Sequence, residues 1–175
     1  PVDTDFWLSE GLIADDFEGI LNVTNRPNGS EISRDKRKLI IGTVINWDRV
    51  KNVEHLITSF LVSFPITDAC LVIKLNRPNP GTISKDAIIN YIKMIKDTMK
   101  LPHLPEIIVL DGPVSEMGLR NILNTFDIFV NISRAEATGI SSLQAMALGK
   151  ICILSQSGMH NDIARDGINC MSIPC

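Results

Sequence analysis

From residue 38 onward, short apolar runs alternate with segments whose apolar residues recur at helical spacing, and few architectures accept that alternation. Each run reads as a strand and each intervening segment as a crossover helix, so strand–helix–strand units stack around a parallel sheet. The runs are KLIIGTVI, ACLVIKL, EIIVL, DIFVNI and ICIL, with a weaker last one at NCMSI. Between the second and third, Ile88, Ile92, Ile95 and Met99 mark a core-facing helix that Ser84 is placed to cap. Ser115, ahead of Met117, Ile122 and Leu123, reads as a second N-cap. The expected fold is a Rossmann-like, three-layer α/β domain with a parallel sheet of about six strands and helices on both faces.

A chain of 175 residues with 45% hydrophobic content builds one well-buried core and is short for two. Residues 38–175 form that domain. Residues 1–37 are a loop-rich entry segment: TNRPNGSEISRDKRK is polar, carries Pro and Gly, and interleaves acids with its basic residues, which favours a solvated loop over a binding patch. A second Pro-rich stretch, NRPNPGTIS, is either a connector or a loop lining a site.

A net charge of −3 and only 5% aromatic residues argue against nucleic acid as a partner, since neither phosphate neutralisation nor base stacking is provided for. No apolar run approaches the roughly 20 residues of a membrane span, and the start, PVDTDFWLSE, lacks the basic and apolar regions of a signal peptide. Cys70 and Cys152 lie inside apolar runs, and no pair among Cys70, Cys152, Cys170 and Cys175 has zinc-like or CxxC spacing, so a reduced, cytoplasmic setting is expected. Asn-x-Ser/Thr triplets begin at Asn22, Asn28 and Asn131, but Asn131 falls in a predicted buried strand and its triplet is accidental.

Ligands of open parallel sheets gather at the carboxyl ends of the strands, where strand order reverses. Three segments bring polar chemistry to that edge: NWDRVKN, DGPVSE and SRAEATG. The last opens the run SRAEATGISSLQAMALGK, in which the acid Glu136 precedes a helix beginning near Gly139. The first amides of such a helix have no partner within it and address an anion, so a phosphorylated sugar suits the pocket. Gln144, on the second turn, reaches a group lying beside the helix start. Read alone, acid, small residues and helix also describe many solvated loops.

The run resembles the signature of the retaining GT-B glycosyltransferases, particularly the large family 4 group: Ser-Arg-x-Glu-Gly-Phe-Gly-Leu, then a Glu and Ala-Met-Ala-x-Gly-Lys. Ser133, Arg134, Glu136, Gly139, Ala145, Met146, Ala147, Gly149 and Lys150 stand in register with it. VDTDFW, KNVEHLITSF, TFDIFVNIS and GMHNDIARDGINCMSI resemble further blocks of the same family in the same order. The resemblance implies one half of a GT-B fold, the nucleotide-sugar-binding half. The whole enzyme of which it is the donor-binding half would move a hexose from a nucleoside diphosphate sugar to a sugar or lipid-linked acceptor, with retention and without a metal or other cofactor, in polysaccharide biosynthesis. It implies that Glu136 is catalytic and faces the donor sugar near its reacting carbon, that Gly139 and Ile140 offer backbone N–H groups to the diphosphate, that Thr138 belongs to the nucleotide-sugar site, that Gln144 contacts the ribose, and that Lys51 meets a phosphate. The acceptor would be read by an N-terminal domain that this chain lacks, along with the family's final helices. By itself the chain would be inactive, and any membrane association would come from parts absent here.

The family pattern is broken at three places. Gln144 replaces an acid, keeping an acceptor oxygen but not the charge. Ala137 and Thr138 replace Gly-Phe, removing a permissive backbone position where the chain must turn. Ile45 and Asn46 stand where the family has a phosphate-clamping arginine, for which Arg49 is the substitute at hand. These departures keep two other readings open: a domain of this fold serving as a non-catalytic interaction module, and a sugar epimerase of the same architecture. Among other polar residues, His160 reads as a surface or capping residue, and His55 and His103 belong to no constellation. Asp15 and Asp16 point apart, Asp111 is either a base contact or a loop cap, and Trp47 either a lid or a packing residue.

Overall fold

The computed structural model describes residues 20–22, 39–64, 69–76, 83–100 and 104–174. Strand β1 (Ile20–Asn22) is followed by β2 (Leu39–Ile45), a 3₁₀ turn (Arg49–Lys51), helix α1 (Val53–Ser63), β3 (Ala69–Leu75), α2 (Lys85–Met99) and β4 (Glu106–Leu110). The second half runs α3 (Glu116–Thr125), β5 (Ile128–Asn131), α4 (Ile140–Ala147), β6 (Ile151–Ser155), α5 (His160–Ile163) and β7 (Met171–Ile173). The strands form one sheet in the order β1-β4-β3-β2-β5-β6-β7.

All six expected strands are present and mutually parallel. The addition is β1, a three-residue strand inside the segment read as loop-rich, which pairs antiparallel with β4 from Ile20 opposite Leu110 to Asn22 opposite Ile108. Backbone pairing along an open sheet edge holds it, a cause that short ILN carries no pattern to reveal. The readings at Asp15, Asp16, Asn28, VDTDFW, His103 and Cys175 lie outside the described residues.

The two faces of the sheet carry separate apolar clusters, as period-two alternation demands. Ile41, Leu71, Ile73, Ile107 and Val109 face α1 and α2. Val53, Leu56, Ile57, Phe60 and Leu61 of α1 recur at helical spacing and are all buried there, with Ile88, Ile92 and Ile95 of α2. On the other face, Ile40, Val72, Ile108 and Leu110 meet Ile122 and Leu123 of α3 and Ala145 of α4. Both expected N-caps form: Ser84 Oγ accepts from the Ala87 amide at 3.1 Å, and Ser115 Oγ from that of Gly118 at 3.0 Å. One residue of β3 breaks the apolar pattern. Lys74 is buried, and its ammonium donates to the carbonyls of Leu75 at 2.6 Å and Gly112 at 2.7 Å, tying the end of β3 to the loop after β4.

From β2 the chain proceeds to one side through β3 and β4, and from β5 to the other through β6 and β7. Strand order therefore reverses between β2 and β5, which pair directly. Two of the three polar segments noted in the sequence, NWDRVKN and SRAEATG, leave these neighbouring strands at the same edge.

Candidate functional site

The loops after β2 and β5 are joined before any ligand arrives. Asp48 caps the 3₁₀ turn by accepting from the Lys51 amide at 3.0 Å, and the Arg134 amide donates to the Val50 carbonyl at 2.8 Å. Lys51 is thereby turned toward Glu136, and its Nζ lies 2.8 Å from Glu136 Oε2. The same oxygen accepts from Asn131 Nδ2 at 3.2 Å, while Oε1 accepts from the Gly139 amide at 3.2 Å. Burial by itself raises the Glu136 carboxyl pKa, but the hydrogen bonds from Lys51 and Asn131, the Lys51 charge and the Gly139 amide together outweigh it and hold the group below the ordinary carboxylate value. Glu136 is an anion at neutral pH.

Helix α4 begins as expected. Gly139 is its N-cap in the left-handed region, φ +59°, and, having no side chain, gives the amides of Ile140 and Ser141 no cap. Ala137 and Thr138 are not among the non-glycine residues at positive φ, so replacing the family's Gly-Phe leaves the turn unstrained, and Gly139 carries it. In front of the helix lies a cleft of about 300 Å³ lined by Asn46, Lys51, Asn76, Glu136, Thr138, Ile140, Ser141 and Gln144 among others. Gln144 is buried, and among the described residues its amide makes no hydrogen bond. Of the residues singled out in the sequence, Glu136, Lys51, Thr138, Gly139, Ile140 and Gln144 thus meet at one place.

Arg49 does not join them. It lines a neighbouring cleft of about 390 Å³ on the far side of the 3₁₀ turn, with Trp47, Asn52, Glu54, Tyr91 and Arg134. The turn sends Lys51 to one side and Arg49 to the other, which two-residue spacing did not reveal. Trp47 packs edge to face on Tyr91, centroids 5.9 Å apart, as a partly buried core neighbour. Asp111 is a loop cap, its Oδ1 accepting from the Gly112 amide at 2.9 Å.

Behind Glu136 lies a buried polar layer that sequence reasoning missed. Asn131 Oδ1 accepts from both the amide and the hydroxyl of Ser133, at 3.2 and 2.6 Å, which orients its amide so that Nδ2 addresses Glu136 and, at 3.3 Å, Ser142 Oγ. Ser142 Oγ is in turn 3.0 Å from His160 Nε2, and His160 Nδ1 is 3.1 Å from the Ser155 carbonyl. A carbonyl only accepts, so Nδ1 carries the proton and Nε2 accepts from the Ser142 hydroxyl. Desolvation lowers the His160 pKa despite the Ser155 carbonyl and the Glu136 charge, and the ring is neutral. The reading of His160 as a surface or capping residue is corrected: it is fully buried, and no pattern of spacing distinguishes a structural histidine from an exposed one. Asn131, noticed only as a triplet, is buried in β5 and addresses the carboxylate.

Gly158 completes the arrangement. At φ +51°, a Cβ there would lie 2.0 Å from the Glu136 carbonyl oxygen, which accepts from the Met159 amide at 2.9 Å. The backbone of Glu136 is thus gripped from below and its carboxylate from three sides. Among the described residues no group of three or more His, Cys, Asp or Glu side chains is placed to hold a metal ion, and no helix is long and apolar enough to cross a membrane. Cys70, Cys152 and Cys170 are buried and form no disulfide, and burial pushes the Cys152 thiol up to about 12.

No curated protein matches the sequence. Solved structures do match the fold. The C-terminal domain of the glycosyl transferase group 1 protein LpcC from Francisella tularensis is 20% identical, with 81% of this chain and 71% of that chain covered and a TM-score of 0.57. Anabaena Alr3699/HepE, solved with UDP-glucose, is 12% identical over 78% of this chain and 35% of its own, TM-score 0.60. Sucrose-phosphate synthase from Thermosynechococcus elongatus is 20% identical over 78% of this chain and 32% of its own, TM-score 0.62. The chain therefore spans about a third of the length of the latter two proteins. Residues 81–175, more than half of the sequence, match the family glycosyl transferases group 1. With the strand order, the reversal between β2 and β5 and the signature run around Glu136 in agreement, the chain belongs to the group 1 glycosyl transferases and has the Rossmann-like fold of a GT-B C-terminal domain.

Proposed function

We propose that this domain binds the nucleoside diphosphate sugar donor of a retaining hexosyltransferase, whose acceptor, a carbohydrate or lipid-linked sugar, is presented by an N-terminal domain. The observation that carries the reading is the convergence of one cation, Lys51, the uncapped amides of α4, a buried amide at Gln144 and an anionic Glu136 on one cleft at the reversal of strand order. Related folds support it: Alr3699/HepE was solved with UDP-glucose, and Arabidopsis thaliana starch synthase IV with ADP and acarbose.

In this reading the diphosphate lies across the amides of Ile140 and Ser141 with Lys51 beside it, and Gln144 accepts from or donates to a ribose hydroxyl. The departing nucleoside diphosphate gains negative charge as the glycosidic bond breaks. Fixed donors aimed at that charge lower the barrier without reorganising. Glu136, beside Lys51 and the Gly139 amide, faces the sugar. Arg49, in the neighbouring cleft, has no part in holding the phosphates. Isothermal titration of the chain with UDP, GDP and ADP tests the reading. One nucleotide binds selectively, and Lys51→Ala weakens it about tenfold, the loss of one charge-assisted hydrogen bond. A folded chain that binds none of the three, with or without an attached sugar, supports a non-catalytic interaction module instead.

A further inference from the structure

Two of the groups suited to hold a diphosphate, Lys51 and the Gly139 amide, are already engaged. Lys51 Nζ donates to Glu136 Oε2 at 2.8 Å and the Gly139 amide donates to Oε1 at 3.2 Å, so one carboxylate bridges the cation and the first amide of the helix start. Two oxygens on a planar anion, one on an ammonium and one on a backbone N–H, are the contacts a phosphate would make. The pair is largely shielded, with side chains 18% and 10% exposed, so solvent screens it little. The Gly139 amide has a single proton, so any phosphate that takes it together with Lys51 must displace Glu136, and the displaced carboxylate needs hydrogen-bond donors of its own. Asn131 supplies one. A phosphate supplies none. The hydroxyls of a sugar attached to that phosphate supply several.

We infer that Glu136 is a specificity-determining residue: a built-in anion that competes with the diphosphate for Lys51 and Gly139, and yields to a nucleotide that carries a sugar more readily than to the bare nucleoside diphosphate. This rests on the donor-cleft reading and deepens it. With the sugar-bearing ligand the carboxylate exchanges Lys51 for hydroxyls. After transfer the hydroxyls leave with the acceptor, the carboxylate returns to Lys51, and the spent diphosphate is expelled. A ligand that binds only the displaced state has its affinity lowered by the fraction of molecules in that state, so removing the competitor tightens it.

The experiment measures dissociation constants of the chain for three pairs, UDP and UDP-glucose, GDP and GDP-mannose, ADP and ADP-glucose, in the wild type, Glu136→Gln and Glu136→Asp. For the pair that binds, the wild type prefers the sugar-bearing member. Glu136→Gln tightens the bare diphosphate about tenfold and changes the sugar-bearing member by less than about threefold, so the preference collapses. Glu136→Asp, which keeps the charge but shortens the reach to Lys51, shifts the ratio in the same direction by a smaller factor. It serves where the glutamine variant does not fold. An unchanged ratio, or a bare diphosphate that binds more weakly to either folded variant, overturns the inference and leaves the donor cleft standing. Absence of binding for every pair in folded wild type and variants overturns both.

Discussion

Two regions of the molecule are held together in different ways. Under α1 and α2 the contacts are apolar: Ile57, Leu61, Leu71, Ile73, Ile88, Ile92 and Ile107 are fully enclosed. Behind Glu136 the enclosed residues are Asn131, Ser133, Ser142, Ser155, Ser157 and His160, joined by hydrogen bonds. Dispersion and water exclusion are non-directional, so the first region supplies stability without dictating the position of any one atom. A hydrogen bond fixes distance and angle, and an enclosed polar group without its partner is costly. The second region therefore specifies a geometry, and what it specifies is the position of Glu136. Ser155 Oγ and Ser157 Oγ both donate to the Ser133 carbonyl, at 2.6 and 2.7 Å, which locks the loop carrying the acid onto the end of β6.

The largest effect is expected on the apolar side. Phe60→Ala empties a buried aromatic site on α1 and costs about 3–5 kcal/mol in a denaturant titration, while the nucleotide affinity of the molecules that remain folded is unchanged. On the polar side the balance reverses. Asn131→Ala strands Ser133 and removes one of the donors to Glu136, costing about 1–3 kcal/mol, and the Glu136 carboxyl pKa rises, which carboxyl-carbon NMR reads directly. If Phe60→Ala also moved the Glu136 pKa, the two regions would not be separable.

Acid sharpens the same contrast with a smaller effect. The folded-state pKa of His160 lies below its ordinary 6.5, so the unfolded chain takes up that proton first, and stability present above about pH 6.5 is lost as pH falls toward the folded value. Glu136 follows at lower pH: its folded pKa lies below 4.5, so its contribution is present above that value and is lost as pH falls through the folded one. Urea midpoints should fall in these two steps, and His160→Gln should abolish the first. The smallest effect is Arg49→Ala, within about 0.5 kcal/mol in stability and without change in nucleotide affinity, because Arg49 lines the other cleft.

The apolar region was legible in the sequence and the polar one was not, for the same physical reason. Burial of Ile88, Ile92 and Ile95 follows from a periodicity that any reader can count, and Ser84 and Ser115 cap because helix starts need acceptors at fixed offsets. Glu136, Gly139 and Gln144 could be grouped from sequence because they share one loop and one helix, and Lys51, singled out by a family resemblance, lies beside them. His160, Asn131 and Ser142 come from three separate elements, and what unites them is the pairing of β5 with β6, a long-range fact that no local spacing encodes. Arg49 lies apart from these residues for the opposite reason. Its neighbourhood to Lys51 is local, but a 3₁₀ turn capped by Asp48 rotates adjacent side chains to different clefts.

In the proposed reading a nucleoside diphosphate enters the cleft in front of α4, and not the larger one beside Trp47. An amide-resolved NMR titration of the isotopically labelled chain with UDP, GDP and ADP tests it most directly. One nucleotide is expected to shift the amides of Lys51, Gly139, Ile140 and Ser141 while those of Ala87 and Tyr91 stay in place. Shifts centred on Trp47, Ala87 and Tyr91, with the start of α4 unmoved, would contradict it.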